Sequence, residues 1–253
     1  YYRENPPVHD AAVPPAWHDF KTFPGFMHFG LRDELENVQL PPQLEYLRNW
    51  LAIFTSTPNP GEFMINCSGA IEAHSVAGFE DRSDQEVFSQ KTLYDVAEVL
   101  RLYVPGFENS YLSSIASLLG IRESRRIIGD YKVTLDDFLA AREFEDSIGR
   151  GAMPAGTHTP DGITMNVYDL EPGKSMTIPY RCMLPKNIEG LLVAGRCVSY
   201  EAPVANCIRC MPQCMVMGEA AGTAAAIAID GTTPRNVDIK LLQETLRKQN
   251  AVL

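Results

Sequence analysis

The chain has 253 residues, 45% of them hydrophobic and 21% charged, and a formal net charge of −10. That length can bury a sizeable core in one large or two modest domains. The acidic balance argues against a nucleic-acid partner or an anionic membrane surface, both of which select for basic faces, and no apolar run reaches the roughly 18–20 residues of a membrane span.

The opening YYRENPPVHD lacks the charged start and apolar stretch of a secretory leader. Prolines then punctuate residues 1–60, at Pro6-Pro7, Pro14-Pro15, Pro24, Pro41-Pro42, Pro58 and Pro60, and such spacing breaks regular structure into short pieces. One helix is predicted over Gln43 to Phe54, with Leu44, Leu47, Leu51 and Phe54 at helical spacing. EFMINC, 62–67, alternates and reads as a strand. Ser83 and Glu86 have capping-box spacing and open a helix that Pro105-Gly106 stops. A second helix is predicted from Ser110 to Leu119, ending at Gly120. Arg125 to Val133 reads as extended, and Thr134 with Asp137 opens a helix toward Phe144.

Two strands are predicted at Thr164–Leu170 and Ser175–Tyr180. A short buried strand follows at Gly190–Gly195, then a loop, a helix from Pro212 to Ile229 and an amphipathic helix from Asp238 to Lys248. There is no internal repeat. Five of six cysteines fall between Cys182 and Cys214, unlike the spread of a secreted disulfide scaffold, so reduced thiols and a cytoplasmic address are expected.

LLVAGRC (191–197), a loop, and MPQCMVMGEAAGTAAA (211–226) form the most informative stretch. A strand that ends in glycine lets a ligand approach bare backbone. A helix that starts at Pro212 presents unpaired amides and the positive end of its dipole. In a flavoenzyme such a start can face the flavin C2 carbonyl. The alternative is an alanine-rich core helix behind an unrelated turn.

RESRRIIGDY (122–131), IPYRCMLP (178–185), LLVAGRC and MPQCMVMGEAAGTAAA together resemble the FAD-dependent oxidoreductase family related to fumarate reductase flavoproteins, and VPGFENSYL (104–112) fits the same pattern. The resemblance implies an α/β fold: a partial three-layer FAD/NAD(P)-binding domain with an α+β substrate domain. It implies a proline-rich connector and helix over 1–60, a substrate domain over 61–180 and a return to the cofactor domain over 181–253. Carried over by position, it places Gly195, Arg196, Met211, Pro212, Gln213 and Cys214 near FAD. It also implies a histidine for proton transfer at His158, whose ordinary pKa near neutrality suits that task. The family's G-x-G-x-x-G turn, which seats the pyrophosphate, is absent, and Gly149-Arg-Gly151 has the wrong context for it. An N-terminal half or a second chain is therefore the expected partner, beside a small-molecule substrate.

Several groups are candidates for chemistry. Arg125 and Arg126 offer planar cations for carboxylates or developing charge, against a structural pairing with Glu123, Asp130 or Asp136. On a strand they face opposite sides. Tyr180 and Arg181 are candidates for orienting substrate. Arg209, two residues before Met211, is a candidate cation near the flavin pyrimidine, against an ion pair with Glu201. Cys207-Ile-Arg-Cys210 with Cys214 suggests a redox or metal site, but a fourth ligand is missing and small buried thiols explain it as well. Three functions compete: a hydride-transferring FAD enzyme, a non-catalytic chain that completes another chain's flavin site, and a thiol-based metal-binding protein.

Overall fold

The computed structural model describes residues 27–54, 59, 61–67, 79–122, 124–158, 165–229 and 231–253. Helices and strands are mixed, and the chain divides into two compact units: 1–120 with 160–163, and 121–159 with 164–253. The division falls at 120–121, inside the segment expected as the substrate domain.

The first unit is built on a three-stranded antiparallel sheet in the order β1 (Met27–Phe29), β2 (Leu51–Phe54), β3 (Met64–Cys67). β2 is central, pairing Ile53 with Ile65 on one side and with His28 on the other. This corrects the helix expected over 43–54. Only a 3-10 turn at Pro42–Leu44 and the four-residue α2 (Leu47–Trp50) are helical there. LAIF is a short apolar run, which fits a buried strand as well as a helical stripe. Having a strand on each side decided it. Leu31 and Leu35, flanking and inside α1 (Arg32–Leu35), pack with Leu47, Leu51 and Ile53 in the core. The Arg48 guanidinium ties this together by donating to the carbonyls of Leu35 and Val38 and pairing with Glu45 at 2.7 Å.

α3 (Phe79–Tyr103) presents Val96, Val99 and Leu100 to the same core. It starts before Ser83, so Ser83 lies inside the helix and does not cap it. The predicted helix over 110–119 is absent. Tyr111, Leu112 and Leu118 are exposed there, and a ten-residue helix is marginal unless its apolar residues are buried against the fold. One tie is the Leu119 amide donating to the Glu86 carboxylate at 2.7 Å.

In the second unit, extended chain from Ile127 to Val133 bonds to both 181–186 and 197–201. The Ile127 amide donates to the Cys197 carbonyl at 2.9 Å, Asp130 to Leu184 at 3.0 Å and Val133 to Ser199 at 3.1 Å. The pairing of Val133 with Tyr200 is parallel, and every strand ladder among the described residues is antiparallel. α4 (Leu135–Leu139) opens on the predicted capping box, with reciprocal bonds between Thr134 and Asp137. It stops short of Phe144, and Ala141 takes a left-handed φ of 46° just after it. β4 (Ser147–Gly151) pairs with β7 (Met176–Pro179), and β5 (Ala155–His158) with β6 (Met165–Tyr168).

α5 (Ala205–Arg209) and α6 (Met211–Ile229) follow, and α6 packs on β4 and on α7 (Ile239–Lys248) through Gln213, Met217, Ala220, Ala224 and Ala228. These recur every three or four residues, which defines one helix face. The face fits because β4 supplies glycines. A Cβ on Gly149 would collide with the Val216 side chain, and one on Gly151 would lie 2.7 Å from Cys207 Sγ and 2.9 Å from the Cys207 carbonyl oxygen. Asp238 caps α7 by accepting from the amides of Lys240 and Leu241. The strand expected at 190–195 is not formed. The Val193 amide donates to Met183 at 2.9 Å, but Leu191 is exposed and the described residues add no ladder beside it.

Among the described residues, no helix is long and apolar enough to cross a membrane.

Candidate functional site: the Gly195 turn and the start of α6

The site begins with a backbone constraint. Gly195 has φ +83°, a left-handed conformation that residues with a Cβ adopt only at a cost. The turn Gly195–Cys197 is anchored from two directions. The Ile127 amide donates to Cys197, and the Tyr200 hydroxyl donates to the Arg196 carbonyl at 2.8 Å. The Arg196 guanidinium reaches back to the Ile121 carbonyl. Arg126 lies 4.8 Å from the centroid of the Tyr200 ring, so a second cation sits beside the anchor of the turn. Arg126 is half-buried and Arg125 exposed, as the alternation of an extended segment dictates.

α5 and α6 are separated by one extended residue, Cys210, with φ −61° and ψ 153°. Its carbonyl accepts the Cys214 amide at 3.0 Å and so starts α6. Its thiol turns away toward the Asn206 carbonyl at 3.0 Å and leaves the helix start uncapped. Pro212 has no N–H to satisfy. The backbone amides of Met211 and Gln213 meet no acceptor among the described residues. Met211 is 77% exposed, so this end opens outward and is not enclosed in packing.

Gln213 turns inward instead. Its Nε2 donates to the Arg150 carbonyl at 3.4 Å, while its Oε1 is buried with no hydrogen-bond partner among the described residues. Cys214 links the two halves of the site: its Sγ lies 3.9 Å from where a Cβ on Gly195 would stand, and it donates to the Arg209 carbonyl at 3.2 Å. Burial raises the Cys214 pKa, with Cys210 and Cys197 adding to this, while the guanidinium groups of Arg196 and Arg209 counteract it. Arg209 itself is held by the Asn206 side chain. Glu201 pairs with Lys132 at 3.3 Å and accepts the Leu135 amide, so the alternative Arg209–Glu201 pair is not formed.

Tyr180 and Arg181 are engaged elsewhere. Tyr180 is in the core, its hydroxyl donating to the Pro234 carbonyl at 2.7 Å, and burial pushes its pKa up to about 12. Arg181 forks onto Asp146, with 2.9 Å and 3.2 Å bonds, and stacks over Tyr131 at 5.1 Å. Asp146 also accepts the Arg181 amide. His158 is in β5 opposite Met165; its side chain is outside the described residues. No three histidine, cysteine or carboxylate groups converge on a metal position among the described residues.

Sequence reasoning gave Gly149 and Gly151 no packing role and left Cys197 and Tyr200 out of the site. The first two carry a readable signal, because glycines two apart on a strand bare one face for close packing. The roles of Cys197 and Tyr200 come only from the turn.

Neither a curated protein nor a solved structure matches the chain. A family model does, over residues 15–246, nearly the whole length and including much of the proline-rich start: the chain belongs to the FAD dependent oxidoreductase family, whose cofactor is FAD.

Proposed function

We propose that this chain forms the ring side of an FAD site in an enzyme that moves a hydride between a small organic substrate and flavin, in the fumarate reductase-like branch of its family. The observation that carries the reading is the open start of α6. There, two backbone amides lack acceptors beside an exposed Met211, and the helix dipole adds positive potential. The Gly195 backbone, bare and left-handed, lets a flat ring approach where a side chain would block it. These features suit the electron-rich pyrimidine edge of an isoalloxazine.

FAD, when bound, supplies the hydride chemistry itself. The amides of Met211 and Gln213 would hold the ring edge. Arg126, Arg196 and Arg209 surround the turn with positive charge, which stabilises negative charge developing next to it. Arg125, at the open end of the same segment, is the proposed contact to an anionic substrate. His158 is the proposed proton carrier. Tyr180 and Arg181 are left out because their polar groups are already satisfied.

The chain has no G-x-G-x-x-G turn. We therefore assign the pyrophosphate side, and the rest of a three-layer cofactor domain, to polypeptide beyond this sequence or to a second chain. The same absence favours a second reading, a non-catalytic chain that completes a flavin site elsewhere. Fluorescence titration of the chain with FAD tests the division. A dissociation constant above about 1 μM is expected, improving when an N-terminal partner is added. Tight, sub-micromolar binding by the chain alone contradicts it. Turnover only in the mixture supports the first reading over the second.

A further inference from the structure

Four of the six cysteines lie around the start of α6, and their environments separate them sharply. Cys207 is fully buried against Gly151, and burial pushes its pKa up to about 12. Cys210 is turned onto the Asn206 carbonyl. Cys197 is the one exposed cysteine among the described residues, and its Sγ lies 3.7 Å from the Ala194 carbonyl oxygen. Cys214 Sγ approaches the next residue of the same turn, Gly195. Two thiols therefore border one peptide, Ala194–Gly195, from two different elements. Side chains in an α-helix tilt toward its N-terminus, so Cys214 leans toward this turn from the first turn of α6. Two guanidinium groups, from Arg196 and Arg209, lie close to Cys214 and offset part of the burial that raises its pKa.

We propose that Cys197 and Cys214 are a peroxide-reactive dithiol, closing to a disulfide that staples the Gly195 turn to α6. Cys197 is the thiol an oxidant reaches, and Cys214 is the resolving thiol. The Cys197 thiolate attacks one oxygen of hydrogen peroxide, the O–O bond breaks, and the departing hydroxide takes up the proton released from the thiol, giving a sulfenic acid and water. The Cys214 thiolate then attacks the Cys197 sulfur; its S–O bond breaks and the hydroxide takes up a proton and leaves as water. Two thiols are oxidised to one disulfide while the peroxide is reduced by two electrons. None of this depends on the flavin reading, because both thiols belong to this chain and the oxidant is named.

The test is to treat the whole chain with hydrogen peroxide, alkylate it under denaturing conditions and map its peptides. The expected result is loss of two of the six alkylatable thiols, recovery of a Cys197–Cys214 linked peptide pair, and reversal by dithiothreitol. In Cys214→Ser, the sulfenic acid on Cys197 should persist and be trapped by dimedone. Cys197→Ser should form no disulfide. A linkage joining Cys207 to Cys210, or any other pair, overturns the proposal, as does a Cys197 that stays fully alkylatable. The wild-type map decides the matter even if a variant fails to fold.

Discussion

Residues 180–183 and residues 210–214 carry similar sequence signals, with a polar or cationic group beside a cysteine, yet the protein uses them in opposite ways. In the first region the Tyr180 hydroxyl and the Arg181 guanidinium both have internal partners. The Tyr180 hydroxyl is bonded to Pro234, and Arg181 forks onto Asp146 while covering the Tyr131 ring. In the second, the backbone amides of Met211 and Gln213 are unmatched among the described residues, and the helix end faces outward. The first region holds the fold. The second offers donors to something else. Polar groups left open at a helix start indicate a binding surface better than the presence of an arginine or tyrosine does.

Five substitutions sharpen or break this contrast. The largest effect is expected at the closed region. Arg181→Ala leaves the Asp146 carboxylate, only 10% exposed in its side chain, without its cation. A loss of about 3 kcal/mol is expected in denaturant unfolding, with flavin affinity unchanged in the folded protein. A loss of affinity there would return Arg181 to the site.

Gly151→Ala forces a Cβ against the Cys207 carbonyl and thiol. It should cost about 2 kcal/mol and weaken flavin binding together, because α5 and the first turn of α6 must shift. Gly195→Ala is smaller in stability, about 1–2 kcal/mol for a left-handed residue. It should reduce flavin affinity more than its stability cost implies, a difference that paired titration and thermal unfolding would detect.

The smallest effect concerns Thr134 and Asp137, away from the open helix end. Thr134→Ala should cost about 1 kcal/mol and leave flavin binding alone. Burial on its own would raise the Asp137 pKa, but the Thr134 amide, the Arg142 guanidinium and the Tyr131 hydroxyl outweigh it and lower the pKa overall. The stabilisation is therefore complete above the unfolded value of about 3.9 and is lost as pH falls through the lower folded value. Asp137→Asn should flatten the acid side of the stability profile; an unaltered acid limb contradicts the assignment.

Much of this was readable in the residues, and what was not has a common cause. α6, α7, the Thr134–Asp137 capping box and the extended run at 125–133 follow from local chemistry: caps, periodicity and small residues. β2 was misread as helix because its four apolar residues take their identity from strands on either side. The segment 110–119 leaves Tyr111, Leu112 and Leu118 exposed, and 190–195 keeps the Val193 bond to Met183 without a strand ladder among the described residues, so neither formed the predicted element. For the site, glycine spacing and the helix start were legible. The partners of Arg209, Arg181 and Tyr180 were not, since Asn206, Asp146 and Pro234 become acceptors only through the local turns and the packing of the second unit.

Hydrogen exchange of the chain at saturating FAD probes the open helix start most directly. Slowed exchange is expected in peptides covering 193–197 and 211–217, with 180–183 unchanged. Protection that spares 211–217 while appearing elsewhere contradicts the placement of the flavin ring against α6.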